Sequence, residues 1–519
     1  MRCNRLFPHQ ALTVLLLCVV LVVLAATAFA ANKTEIRITL VGNMPNDWET
    51  VHQAIEAKLA KSGLNYDLKV TWYNWQDWAN QRQIKLMAGD NGELFFDAPW
   101  ADGWNNLTAK NAYLELSSYI KKYGNSIRKH FPPDYLKANS FDGKILGLPL
   151  GISYPAKYGL AVRADLRKKY GIDKIASYDD LEKFLAAVKK NNPEITPIVD
   201  NGNGIFTETM AYREGYTDLA QRVVAGMVVM QDLLTTGGKV KMIPAWESKT
   251  LVDLSKRVRQ WYLNGWLDKD ILSQRDARGV FLSGAAAIGP SAPENADRDI
   301  PQLQANVPGA EIEWDWIASK NFPLLHDFKM WNFICVNTHA SHPVEAFKFL
   351  NWIYASQDNY DLIQYGIKGR HWVEGPQPRT YELPAGVDPA KNYNFDGFTL
   401  VWNPDFNRFP AKGNPQAIAI MKAATDPKNY AVAPYAGWTF DSSAVKTEVA
   451  QCTALEMEYA KPVFLGVIDT ESGFTKMKEA YEAAGINKII AEAQKQFDAW
   501  VAKRGGKNPY QEWLAKQKK

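Results

Sequence analysis

Cysteine is scarce, with 4 in 519 residues. Cys3 and Cys18 fall in an N-terminal stretch with the marks of an export leader, which leaves Cys335 and Cys452. No Cys-x-x-Cys is present, so thioredoxin-like redox chemistry and a cysteine-rich zinc site have no support. Cys335 lies in Phe333-Ile334-Cys335-Val336 and reads as a small core residue. A 335–452 disulfide is not expected, because nothing in sequence brings the two together. Charge of one sign is also missing. The formal net charge is +4, too balanced to argue for a nucleic-acid partner. Beyond residue 31 no run is long and apolar enough to span a bilayer. The chain has no Walker loop, no His-Glu-x-x-His and no Gly-x-Ser-x-Gly. Gly202-Asn203-Gly204 is a turn signal, and His339 and His342 sit beside Pro343 at a helix start. Together these absences leave no metal site or cofactor to expect, although Asp97, Asp102, Asp47 and Glu294 could supply the two carboxylates of a glycosidase.

What is present suits a large globular protein: 46% hydrophobic and 22% charged residues, enough chain for two large domains or more. Residues 1–30 read as a signal peptide. Arg2 and Arg5 form the charged start, Leu12 to Val23 the apolar core, and Ala28-Phe29-Ala30 the cleavage site. Cys18 follows Leu15-Leu16-Leu17, without the small residues that precede a lipidated cysteine, so cleavage rather than lipid anchoring is expected. An uncleaved anchor is the alternative. Tryptophan is the conspicuous excess, at 18, and five of them fall between Val70 and Leu107: Trp72, Trp75, Trp78, Trp100 and Trp104. Val70 to Tyr73 predicts a strand. Asp77 offers a helix N-cap, with Trp78, Ile84 and Met87 as the apolar positions before Gly89. Leu94 to Phe96 predicts a second strand. In such a βαβ unit, ligands gather at the carboxyl ends of the strands. Those ends carry Trp75, Gln76 and Trp78, and then Asp97, Trp100, Asp102 and Trp104. Flat apolar faces beside hydrogen-bonding amides and carboxylates suit a sugar ring. The loop after an earlier strand, Glu35 to Val41, adds Asn43, Asp47 and Trp48, although Asp47 or Asn46 could simply cap the following helix. Any one of these tryptophans could equally be core.

Farther along, the spacing predicts helices over Ala112–Lys122, Gln221–Leu234, Leu251–Leu263, Gln357–Gln364 and three near the end, about 445–460, 473–484 and 488–503. Strands are predicted at Ile195–Val199, Ser283–Gly289, Ala310–Ala318 and Phe328–Val336. The α/β alternation restarts after about residue 155, which marks a second lobe. Residues 370–415 are rich in proline and loops.

Several stretches together resemble the extracellular solute-binding proteins of sugar ABC transporters, in the long-chain subgroup that includes oligosaccharide and alginate binders. They are Gly143-Lys144-Ile145-Leu146-Gly147-Leu148-Pro149, Gln260-Trp261-Tyr262 through Gly265-Trp266-Leu267-Asp268-Lys269-Asp270-Ile271, Gly284-Ala285-Ala286-Ala287-Ile288-Gly289, and Tyr365-Gly366-Ile367-Lys368-Gly369. Residues 437–500 resemble a C-terminal domain of unknown function found in some of these proteins. The resemblance implies an α/β, two-lobed periplasmic-binding-protein-like fold with hinge strands and a cleft between the lobes. It implies an N-terminal lobe of 31–153 and 318–372 and a C-terminal lobe of 154–317 and 373–519. Crossings are expected near Ile152–Tyr158, Glu311–Ser319 and 370–395. By the same analogy Tyr154, Trp246, Glu294, Trp331 and Trp402 join the ligand-binding residues, Trp402 as a stacking residue and Glu294 on a cleft loop. One stretch departs from the alginate binders. Lys189-Lys190-Asn191-Asn192-Pro193-Glu194-Ile195-Thr196 lacks the carboxylate spacing that calcium needs, so no structural calcium and no alginate ligand are expected. The implied function is that of the substrate-binding component of an ABC importer. It captures a sugar, an oligosaccharide by preference, and delivers it to permease subunits in the periplasm or at the cell surface. It is expected to be a monomer and not an enzyme. The alternatives are a secreted glycoside hydrolase or lyase, and a binder of peptides or lipids.

Overall fold

The computed structural model describes residues 33–131, 133–141, 143–150, 160–200, 217–218, 227–230, 233, 236–273, 276–315, 324–327, 329–388, 391–395, 397–403, 405–424 and 427–517. The expected leader, Tyr154, Gly202–Gly204 and the first crossing lie outside the described residues.

Two sheets organise the chain. It begins with β1 (Thr34–Val41), α1 (Trp48–Lys61), β2 (Tyr66–Tyr73), α2 (Trp75–Met87), β3 (Leu94–Asp97) and β4 (Leu148–Pro149). It then builds β5 (Leu160–Arg163), β6 (Thr196–Ile198), β7 (Ala286–Gly289) and β8 (Ile312–Asp315), and returns with β9 (Phe333–Val336). The first sheet has the order β2-β1-β3-β9-β4, and the second β8-β5-β7-β6. In the first, β1 pairs in parallel with β2 from Thr34↔Tyr66 to Val41↔Tyr73, and with β3 at Ile38↔Leu94. Three carboxyl ends therefore open on one edge. β9 runs antiparallel to β3, with Phe333 opposite Asp97, so the residues just before β9 reach the same edge. β1 alternates apolar and polar side chains at its start, as a strand covered by helices on only part of its length does, whereas β3 and β9 are buried throughout.

Most elements form where the periodicity places them, and the exceptions have identifiable causes. The N-cap of α2 is Asn74, not Asp77. Asn74 Oδ1 accepts from the Asp77 backbone N–H at 2.9 Å, and Asn74 Nδ2 donates back to Asp77 Oδ2 at 2.8 Å. The buried stripe of α2 is Trp78, Arg82 and Leu86, and the expected apolar positions Ile84 and Met87 are exposed. The segment Ala112–Leu116 is extended rather than helical, because Tyr113 bridges to Asn337 beside β9. Within the predicted helix at 221–234, Val228–Met230 is a strand. Its β-branched pair is drawn into register with Met242–Pro244. Of the predicted strand Phe328–Val336 only Phe333–Val336 is strand among the described residues, which leaves Trp331 on a loop before β9.

Each sheet has its own core. The first is built from β1–β4, β9 and the helices Pro343–Ile353 and Gln357–Gln364. Tyr393, Phe395, Leu400 and Val401 join it. This corrects the expectation that everything after 372 belongs to the second lobe. The short strand Phe409–Pro410 still pairs with Thr380–Tyr381, whereas Ala417 is buried with the β7 and β8 side chains Ala286, Ile312 and Trp314. The third crossing therefore falls near 410–415 instead of 370–395. The second core unites β5–β7 with the helix Lys249–Leu263 and with C-terminal helices Thr470–Ala483, Ile486–Lys503 and Pro509–Gln517, the last not anticipated from sequence. Among the described residues no helix is long and apolar enough to cross a membrane.

Two predictions follow from this packing. Tyr510 is almost fully buried, and its ring lies so close to Gly238 that a Cβ there would stand 2.7 Å from it. Tyr510→Ala should lower the unfolding free energy by about 3 kcal/mol in a urea titration. His326, in the strand Leu324–His326 beside Tyr430–Val432, is pushed down to about 4 by burial. A base whose folded pKa is depressed contributes stability above its unfolded value near 6.5 and loses it as pH falls through the folded value. Unfolding free energy should accordingly drop by about 3 kcal/mol between pH 6.5 and 4 on this account. His326→Gln should flatten that slope.

Candidate functional site

The carboxyl edge of the first sheet carries an uncovered aromatic wall. Trp75 is 44% exposed, Trp100 49%, Trp331 39% and Met44 64%. Large apolar groups left in water at one edge of a sheet mark a surface built to be covered. Trp75 opens α2, one residue past the Asn74 cap. Its ring stacks on Phe398 at 6.1 Å and tilts against Trp100 at 6.2 Å. Trp100 lies in the loop after β3, and its indole N–H donates to Asn332 Oδ1 at 3.2 Å, next to Trp331. Asn43 is exposed on the loop after β1, and Gln76 in the first turn of α2.

The other expected residues of this wall are its supports. Trp78 is buried under the wall, edge-on to Trp75 and covered by the Arg82 guanidinium at 4.6 Å. Asp97 is fully buried, so it is not a ligand acceptor. It forms an ion pair with Arg82, accepts from the Tyr113 hydroxyl, and accepts from the Ala98 N–H at 2.6 Å. Burial pushes its carboxyl up to about 6, opposed by Arg82, so it is still ionised at neutral pH. Arg82 also donates to the Asp102 carbonyl, which fixes the loop that holds Trp100. Trp104 is core, edge-on to Phe141 at 4.7 Å. Trp48 is buried between His52 and Phe395. Asp47 is engaged by Arg370 and His371 at 2.6 and 2.9 Å.

Two residues expected on the opposite side are partly buried against the two cores. Trp402 is half-buried against the first core. Trp246 is partly buried against the second core, its ring 6.3 Å from that of Tyr481 in the C-terminal helices. Glu294 does lie in the loop after β7, at a carboxyl end of the second sheet. Solvent reaches Glu294 and Asp297, yet burial raises both carboxyls above the ordinary range, with Asp299 adding to the effect at Glu294. That combination describes groups in a concave wall. Phe398, Asn332, Met44 and Asp297 were not anticipated. Phe398 and Asn332 come from distant segments that no local pattern links to the tryptophans. A separate concavity of about 350 Å³ lies between the helices Tyr178–Asn191 and Lys249–Leu263. Its charges satisfy one another, Arg257 and the Trp261 N–H both meeting Glu182 at 2.8 Å.

A family profile described as bacterial extracellular solute-binding protein matches residues 53–369. The chain belongs to that family. A domain of unknown function, DUF3502, matches residues 434–502 of this extracellular solute-binding protein, the stretch that completes the second core. A carbohydrate ABC transporter substrate-binding protein of Streptococcus pneumoniae is 22% identical over 495 residues, 91% of this chain and 92% of that one. The N-glycan transport solute binding protein NgtS of Streptococcus pneumoniae superposes with a TM-score of 0.72 at 19% identity, covering 91% of this chain and 100% of the other. In complex with Man1GlcNAc the same protein scores 0.68, at 19% identity and coverage of 91% and 100%. With Man5GlcNAc it scores 0.66, at 20% identity and coverage of 91% and 99%. The α/β, two-lobed architecture of this solute-binding protein is that of these structures.

Removing Asp97 should expose the support role. Asp97→Asn leaves the Arg82 guanidinium buried without its counter-charge, and should cost about 3–5 kcal/mol of stability in chemical denaturation. Loss of ligand affinity in a fully stable Asp97→Asn protein would instead mean that the carboxylate meets ligand.

Proposed function

We propose that this solute-binding protein is the carbohydrate-capturing component of an ABC importer, and that its ligand is an oligosaccharide held against Trp75, Trp100 and Trp331. The observation that carries this reading is the exposure of those three indoles at one sheet edge. An indole face matches the apolar face of a pyranose, and each stacked ring removes apolar surface from water at about 25 cal/mol per Å². Asn43 and Gln76 stand beside the rings as hydrogen-bonding groups for sugar hydroxyls. Glu294 and Asp297, on the second lobe, would accept from hydroxyls once the lobes approach. Closure is then a population shift, biased by a ligand that touches both lobes. The carbohydrate description of the pneumococcal relative supports the ligand class.

The reading also makes the protein a binder and not a hydrolase. A glycosidase needs two carboxyl groups free to act on the scissile bond. Asp97 is sealed against Arg82 and Asp47 is engaged by Arg370 and His371, which leaves Asp102, Glu294 and Asp297 as the carboxyls whose part in any cleavage the product analysis below tests. Delivery to permease subunits, an exported location in the periplasm or at the cell surface, and a monomeric state complete the proposal.

The test is thermal unfolding of the protein against a panel of neutral, amino and acidic oligosaccharides, Man5GlcNAc included, with the sugar recovered and analysed afterwards. A sugar at a hundred times its dissociation constant should stabilise by about 2.7 kcal/mol. Trp100→Ala and Trp331→Ala should each weaken binding about tenfold with the melting temperature of the free protein unchanged. Cleaved sugar would identify an enzyme, and silence across the panel would discard the carbohydrate reading.

A further inference from the structure

The loop after β1 is anchored in a way that helix formation does not require. Asp47 precedes α1 and is of the residue type that caps helix N-termini through its side chain. It forgoes that role: its φ is 55°, in the left-handed region, and its side chain makes no cap bond to the helix backbone. The carboxylate instead accepts from Thr50 Oγ1 at 2.6 Å and from His371 Nε2 at 2.9 Å, and pairs with Arg370 at 2.6 Å. The Thr50 hydroxyl first, then His371, hold this carboxyl below its ordinary range. The tautomer of His371 follows from its other nitrogen. The Ile367 N–H donates to Nδ1 at 2.9 Å, so the ring hydrogen is on Nε2 and points at Asp47. His371 is buried, and its ring lies against Gly366, which has φ +79°, where a Cβ would stand 2.5 Å from Nδ1. Parallel ties run beside it. The Asn46 N–H donates to Asn394 Oδ1 at 3.4 Å, Asn46 Nδ2 donates to the Asn392 carbonyl at 3.2 Å, and Asn392 Nδ2 donates to the His371 carbonyl at 2.8 Å.

We infer that Asp47, held by His371 and Arg370, is a positioning residue for sugar binding: it sets the loop 42–46 that presents Asn43 and Met44 beside the indole wall. This rests on the carbohydrate reading above. Asp47 does not meet the sugar. Its contribution is that the loop is already in its binding shape when ligand arrives, so no ordering cost is charged against affinity.

The experiment is a double-mutant cycle on ligand affinity, with Asp47→Asn and His371→Gln. Asparagine keeps the size of Asp47 and tolerates the left-handed conformation. The probe is the tightest-binding sugar of the panel, and the dissociation constant is read by tryptophan fluorescence alongside a melt of each free protein. Each single variant should raise the dissociation constant about tenfold, as loss of a charge-assisted hydrogen bond does. The double variant should raise it no further than either single one. If His371→Gln fails to fold, Arg370→Gln, at an exposed position, takes its place in the cycle. A lowered melting temperature with affinity within twofold of the parent would overturn the positioning role and leave Asp47 purely structural. So would additive effects on affinity. If Trp100→Ala weakens a sugar while Asp47→Asn does not, this inference falls and the carbohydrate reading stands. If no sugar binds, both fall.

Discussion

The guanidinium of Arg82 is fully buried, and the first wall is arranged around keeping it there. An unpaired charge in that position would not be tolerated. Its neutralisation by Asp97 therefore pins α2 to the end of β3. The same side chain reaches the Asp102 carbonyl and lies over the Trp78 ring. One group thus joins the helix that begins with Trp75, the strand end, and the loop that carries Trp100. The arrangement spends a costly buried ion pair on geometry, and the geometry it holds is the relative position of two exposed indoles. The Tyr113 hydroxyl and the Ala98 N–H complete the shell of Asp97 from beyond the strand, so its oxygens are satisfied without solvent.

The same arginine explains where the sequence was misleading. Strand ends, the βαβ unit and the tryptophan-rich loops were legible because alternation and clustering are local signals. The buried face of α2 was not, since a stripe of Trp78, Arg82 and Leu86 looks broken by a charge, while Ile84 and Met87 look like the apolar face. With the stripe misread, no rule separates Trp75, at the helix start and beyond the sheet, from Trp78 one turn inside it. Burial sorts them: Trp78 and Trp104 support, and Trp75 and Trp100 present. Asp97 was named for its position at a strand end. Its role was hidden because its partner is fifteen residues upstream on a helix face that hydropathy assigns to water.

Long-range pairing hid the remainder. β9 inserts between β3 and β4, and so brings Trp331 and Asn332 to an edge otherwise made from the first hundred residues. Phe398 stacks on Trp75 from a proline-rich stretch in which periodicity carries no information. The Asp47 ties to His371 and Arg370 belong to the same class. The resemblance to a known family placed Trp402 and Trp246 across the cleft by analogy of position. In the structure Trp402 packs on the first core and Trp246 on the second, beside the C-terminal helices.

The late segments also constrain how the lobes can move. The strand Leu324–His326 pairs in parallel with Tyr430–Val432, and Leu325 and Ala431 are buried together in the second core, so the crossing expected at Glu311–Ser319 falls instead between His326 and β9. The C-terminal helices share that core with β5–β7. Tyr435, Trp438 and the other buried side chains of the stretch 434–502 thus share one core with Leu325, shortly before the chain returns to the first sheet. Movement between the lobes is then expected in the connecting spans, the one between His326 and β9 among them, rather than by loosening of either core. A first wall locked by a buried ion pair and a second lobe braced by its own C-terminus are the two stiff halves that ligand-driven closure needs, since a ligand can bias only states that remain discrete.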